Sequence, residues 1–142
     1  VLDHFVKEMT SLKGEYFEEM LNKGYRILIY AAQFNLYTPH EGINEVVTKL
    51  KWNGADKFSK APRKIWRVNN DVAGFVKMAD NFTFASVRNA GNYAIIDQPD
   101  WVLDLVEKFL ENHFSEESWF RKPKTKQILP VNGSDIYLIS QP

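Results

Sequence analysis

Between Tyr25 and Phe34 the chain reads Tyr-Arg-Ile-Leu-Ile-Tyr-Ala-Ala-Gln-Phe, and Ile27 to Tyr30 are apolar without interruption. A strand wet on one face would alternate, so an unbroken run of this length predicts a strand buried on both faces. That reading constrains everything around it. Such a strand needs paired neighbours in its sheet and other layers packed above and below. Few other segments look able to flank it. The expectation is therefore the C-terminal part of a larger α/β sheet flanked by helices, completed by an N-terminal chain or segment.

The remaining periodicity supplies the other elements. Leu2, Phe5, Val6, Met9, Leu12, Tyr16, Phe17 and Met20 recur at three- and four-residue steps and predict a helix over 1–22. Gly24 suits its C-terminal cap. Ile43, Val46, Val47 and Leu50 predict one face of a second helix, and Asn53-Gly54 a turn. Lys64 to Val68, Ala73 to Met78 and Phe82 to Val87 read as strands, separated by the turn residues Asn69-Asn70-Asp71 and Ala79-Asp80-Asn81. Asp97-Gln98-Pro99 opens a last helix with the apolar stripe Val102, Leu105, Val106, Phe109 and Leu110, and His113 is placed to complement its C-terminus. Residues 1–114 form the expected body. In residues 115–142, Ser115 to Lys126 is polar and charged and Ile128 to Ile139 is mixed and broken by Pro130 and Asn132-Gly133; the stretch is expected to be a C-terminal extension that is loose or docked on another surface.

With 44% hydrophobic and 25% charged residues the composition suits a soluble, folding chain. A formal net charge of +0 gives no overall basic field for nucleic acid or anionic lipid. No run approaches the ~18 apolar residues of a membrane span. The N-terminus reads as an amphipathic helix and not as a signal peptide. Cysteine is absent, which excludes disulfides, thiol catalysis and cysteine metal sites within this chain. No glycine-rich phosphate loop or cluster of metal ligands occurs, so no cofactor or metal is expected. The sequons Asn81-Phe82-Thr83 and Asn132-Gly133-Ser134 mark possible N-glycosylation sites; roughly one is expected by chance at this composition, so they are compatible with secretion without requiring it. Trp52, Trp66, Trp101 and Trp119 read as core or interface anchors. Arg63-Lys64 with Arg67 reads as a solvated sheet edge, and Glu18-Glu19 and Glu116-Glu117 as solvated charges.

Several motifs then recur in a familiar order. Tyr30-Ala31-Ala32-Gln33-Phe34-Asn35 is similar to Tyr-x-Gly-Gln-Leu-Asp, and Val72-Ala73-Gly74-Phe75-Val76-Lys77 to Val-Ala-Gly-Tyr-x-Lys. Asn89-Ala90-Gly91-Asn92 followed by Asp97-Gln98-Pro99 is similar to Gly-Ala-Gly-His-x-x-Pro-x-Asp-Gln-Pro. Leu50-Lys51-Trp52-Asn53-Gly54 and Ala61 to Val68 fit between them. In this order the motifs resemble the C-terminal part of serine carboxypeptidases, an α/β-hydrolase family, and most closely their vitellogenic branch.

The resemblance implies a triad acid at position 35 and a triad histidine at position 92, and this chain has Asn35 and Asn92. Ala32 and Ile95 also depart from the family pattern, and the nucleophile elbow Gly-x-Ser-x-Gly does not occur in these residues. An amide has no useful basicity, so neither position can take a proton from a serine hydroxyl. The reading is a catalytically inactive, carboxypeptidase-like pseudoenzyme with a binding, structural or storage role. The alternative is an active hydrolase, acyltransferase or lyase using a non-standard base, with its serine on the N-terminal part. Only His4, His40 and His113 exist as histidines; His40 is read as a solvated loop residue near the site. Two facing amides could also hydrogen-bond and clamp the old cleft. The implied partner is an N-terminal carboxypeptidase-like chain held non-covalently, with further protein subunits or a second copy as other options. The implied location is secreted or lysosomal/vacuolar.

Overall fold

A computed structural model describes residues 14–111 and the backbone of residues 137–140. The first half of the expected N-terminal helix lies outside the described residues, as do His4, His113, Trp119, Glu116-Glu117 and Asn132. The elements in chain order are α1 (Gly14–Asn22), β1 (Ile27–Ala32), α2 (His40–Thr48), α3 (Ala55–Lys60), β2 (Lys64–Val68), β3 (Asp71–Ala79), β4 (Phe82–Val87), α4 (Ala94–Asp97), α5 (Pro99–Leu110) and β5 (Tyr137–Ser140).

The strands form one mixed sheet in the order β2-β3-β4-β1-β5. β1 runs parallel to β4 on one side, Ile27 opposite Phe82, and parallel to β5 on the other, Ile27 opposite Tyr137. β2, β3 and β4 are antiparallel. Every residue of β1 and of β4 is buried. Successive side chains alternate faces, so Leu28, Tyr30 and Ala32 join one core with Trp66, Val87 and the α5 residues Val102, Leu105 and Phe109. Ile27, Ile29 and Ala31 join the opposite core with Phe82, Phe84, Leu21 of α1, Ile43 and Val47 of α2, and Phe58 of α3. The two-faced burial read from Ile27 to Tyr30 is thus met by helices on both sides.

The expected shortage of flanking strands does not hold. β5, drawn from the stretch expected to be a tail, supplies β1 with its second parallel neighbour. The Asn53-Gly54 turn leads directly into a short helix, α3, and α4 is a further single turn that the sequence pattern did not mark. Two expected core positions face outward: Val46 and Leu110 are each 39% exposed. Leu50 is buried, but it lies beyond the end of α2.

Local chemistry fixes the connections. Gly24 has φ +85, its N–H bonds to Leu21 O at 3.1 Å, and Tyr25 N bonds to Met20 O at 3.1 Å; this left-handed cap ends α1 and turns the chain into β1. Asn69 and Asn70 both have positive φ, as a two-residue hairpin between right-twisted strands requires. Arg26 stacks 4.6 Å over the Phe109 ring and donates to the carbonyls of Phe109 and Leu110, so it satisfies the C-terminus of α5 where His113 was expected to act. Trp66 is wholly buried, and its indole N–H reaches Asp104 Oδ2 at 2.7 Å. Trp52 is also buried, and Trp101 packs half-buried against the α5-side core.

Candidate functional site

Two loops leave the C-terminal ends of the parallel strands β1 and β4, and the backbone ties them together. Gln33 N donates to Val87 O at 2.9 Å and Phe34 N to Ala90 O at 2.8 Å. Asn35 and Asn92 therefore follow one and two residues beyond a direct inter-loop bond. Adjacent parallel strands with side chains presented from their C-terminal ends are the usual place for a site in an α/β sheet.

Asn35 is 6% exposed, and its own loop uses its amide. Oδ1 accepts the N–H groups of Tyr37 at 3.0 Å and Thr38 at 3.1 Å, and Nδ2 donates to Thr38 Oγ1 at 2.6 Å. This is the local turn that Asn and Asp side chains form with backbone two and three residues ahead. Asn92 is half-buried, and its Oδ1 is buried without a hydrogen-bond partner. Among the described residues the two amides do not bond each other, so the expected clamp is not formed. The local turn around Asn35 already takes both acceptor sites of its oxygen and one of its two amide hydrogens.

The loop carrying Asn92 is held by the residues that open α5. Asp97 Oδ2 accepts Gly91 N–H at 2.6 Å, Gln98 Nε2 donates to Asn89 O at 3.0 Å, and Asn89 has φ +50. Asp97 and Gln98 thus position the loop as well as opening the helix. The available signal was an acid and an amide side by side ahead of a proline-led helix. Around the asparagines the rim is apolar: Phe34, Leu36, Tyr37, Tyr93, Ile95 and Ile96 are all exposed, Leu36 by 92%.

The other sequence candidates lie elsewhere. His40 is not a solvated loop residue; it begins α2, its side chain is 15% exposed, and it makes no bond to Asn35 or Asn92. Asn81 donates through Nδ2 to Leu21 O at 2.9 Å and to Tyr25 O at 2.6 Å, and Phe82 and Thr83 of its sequon are buried in β4. Both amide hydrogens are therefore committed, and a sugar would displace one. Arg63 precedes the edge strand β2 and Arg67 lies within it, but Glu18 accepts Lys51 N–H at 2.7 Å and is not simply solvated. Among the described residues no group of His, Asp or Glu is placed to hold a metal ion, and no helix is long and apolar enough to cross a membrane.

The sequence model of serine carboxypeptidases matches residues 3–112. The chain is 42% identical over 92 residues to a venom serine carboxypeptidase of Apis mellifera, covering 65% of this chain and 20% of that protein. It is 36% identical over 101 residues to carboxypeptidase Y of Komagataella phaffii, covering 71% and 19%, and 29% identical over 90 residues to a vitellogenic carboxypeptidase of Aedes aegypti, covering 63% and 19%. Among solved structures, the prohormone-processing carboxypeptidase Kex1 of Saccharomyces cerevisiae superposes with a TM-score of 0.57 at 22% identity, over 70% of this chain and 22% of that one, a likeness of fold. The chain spans about a fifth of the length of the curated relatives it matches. With a family match over most of its length and the corresponding α/β fold, this chain belongs to the serine carboxypeptidase family.

Proposed function

We propose that the protein is a catalytically inactive serine carboxypeptidase homologue whose inherited cleft serves binding or structure, with Asn35 and Asn92 standing at the positions of the triad acid and base. The observation that carries this reading is the state of the two amides. Asn35 spends its oxygen on two backbone N–H groups and its nitrogen on Thr38. Neither asparagine changes protonation in the working range of a hydrolase, so neither can activate a serine or protonate a leaving group. In serine proteases, changing the acid to its amide costs roughly 10⁴ in turnover and removing the histidine roughly 10⁶. These losses do not add, so the double replacement is about as severe as the histidine loss alone.

The apolar rim supports a binding role. Six exposed apolar side chains gathered on two adjoining loops are a surface that water covers poorly and a protein or apolar ligand covers well. The partner we assign to it is the N-terminal carboxypeptidase-like part of the same domain, as a separate chain or a preceding segment. This chain has no cysteine, so as a separate chain the partner would be held non-covalently, across an interface of about 2,000 Å² or more. A secreted or vacuolar setting fits the venom, vitellogenic and Y-type names of the relatives. The test is release of the C-terminal residue from an N-blocked dipeptide by the full-length protein. Turnover at least about 10⁴ below that of an intact family member is expected; turnover within tenfold of it would refute the reading.

A further inference from the structure

On the α2 side of the sheet, at the end from which both loops leave, there is a cavity of about 160 Å³ lined by Gln33, His40, Glu41, Arg63, Ser86 and Arg88, with Phe75 in its wall. The sequence explains why it is there. Phe82 and Phe84 fill this face of β4. Two residues on, the same face carries Ser86, whose cross-strand partner is Phe75. A hydroxymethyl in line with two benzyl groups leaves space, and the first turn of α2 bounds it with His40 and Glu41.

The lining is built to receive charge. Arg88 is braced by a bond from Nη1 to Val72 O at 3.2 Å, and the Arg63 guanidinium lies 4.6 Å from the Phe75 ring centroid. Each guanidinium is thus held by one contact, and among the described residues neither pairs with a carboxylate. Glu41 is the one acid in the lining, and its side chain is 74% exposed and solvated. Deeper in, Ser86 is buried and His40 Nδ1 is buried with no hydrogen-bond partner. Glu41 Oε2 lies 3.1 Å from that nitrogen but is too poorly aligned to bond it. Gln33 uses its Oε1, weakly, for Asn89 N–H at 3.4 Å, and its amide nitrogen makes no bond among the described residues.

We propose that this cavity is a binding site for a small monocarboxylate, gripped by Arg63 and Arg88 and completed by Ser86, Gln33 and His40. Two guanidiniums against one carboxylate leave one formal positive charge, which a monoanion neutralises and a dianion overshoots. The planar guanidinium fork matches a carboxylate by paired charge-assisted hydrogen bonds. Neither Asn35 nor Asn92 lines the cavity, so the proposal stands apart from the question of catalysis.

The test is equilibrium dialysis of the full-length protein against radiolabelled acetate at pH 7, with ionic strength held constant by chloride. One equivalent should bind saturably, with half-saturation in the millimolar range. Arg63→Gln alters an exposed side chain and should raise the half-saturation concentration roughly tenfold or more. Arg63→Lys, which keeps the charge but loses the fork, should fall between. Lys23→Gln, which removes an exposed charge on the far side of the chain at the end of α1, should bind as the wild type does. Unsaturable uptake, unchanged binding by Arg63→Gln, or equal competition by sulfate would each overturn the assignment.

Discussion

Asn35 and Asn92 leave adjoining strand ends but stand in opposite energetic positions. The Asn35 amide closes a turn with three bonds, while the Asn92 oxygen is buried with none. Losing a capping side chain of the first kind costs about 0.5–2 kcal/mol, whereas removing an unsatisfied buried group is close to neutral or favourable. Asn35→Ala should therefore lower unfolding stability by about 1 kcal/mol or more, and Asn92→Ala should leave it unchanged or raise it. Denaturant titration of both variants checks this, and equal losses would revive the amide clamp. Asn81 makes a second residue-level prediction. Because both its amide hydrogens are held by the carbonyls of Leu21 and Tyr25, peptide mapping of protein expressed through a secretory host should find Asn81 without glycan. The identities of these residues were legible in the sequence, but their bonds were not. The sequon registers three letters and not the α1–β1 corner that claims the amide. The grip of Asp97 and Gln98 on the Asn92 loop depends on how the chain folds back across six and nine residues.

At the scale of elements, β3 and β4 approach so closely that one position tolerates no side chain. A Cβ on Gly74 would stand 1.9 Å from Ser86 O and 3.1 Å from Trp66 Cε3. The first contact is with backbone inside the sheet, so it cannot be relieved by rotating a side chain. Gly74→Ala should destabilise by more than about 2 kcal/mol, with loss of cooperative unfolding as the extreme outcome; a melting temperature within a degree of the wild type would contradict the packing. The three strands β2, β3 and β4 were readable because turn chemistry brackets them: Asn69, Asn70 and Asp80 all take the positive φ that asparagine and aspartate tolerate. α3 and α4 were not readable, since six and four residues are too few to show a helical period. β5 was missed for a different reason. Its partner β1 lies more than a hundred residues away, and its short apolar run, Ile136 to Ile139, follows a stretch broken by Pro130 and Asn132-Gly133.

For the whole molecule, burial of β1 organises both cores. Its six residues alternate between the α5 layer and the α1, α2 and α3 layer, which is why an unbroken apolar run was informative about fold class. The fold class and the family could be read from that run and the motif order. The identity of β1's second neighbour could not, because it depends on long-range pairing. The strand ends of this frame present two amides within an apolar rim, at the positions we propose for the family's proton-transfer pair. On the proposed function, the frame has been kept for what it binds. Fluorophosphonate labelling of the full-length protein tests this most directly, because the probe reports a serine activated by a neighbouring base whatever the substrate. No labelling above that of denatured protein is expected; rapid, stoichiometric labelling of a single serine would refute the loss of the proton-transfer pair.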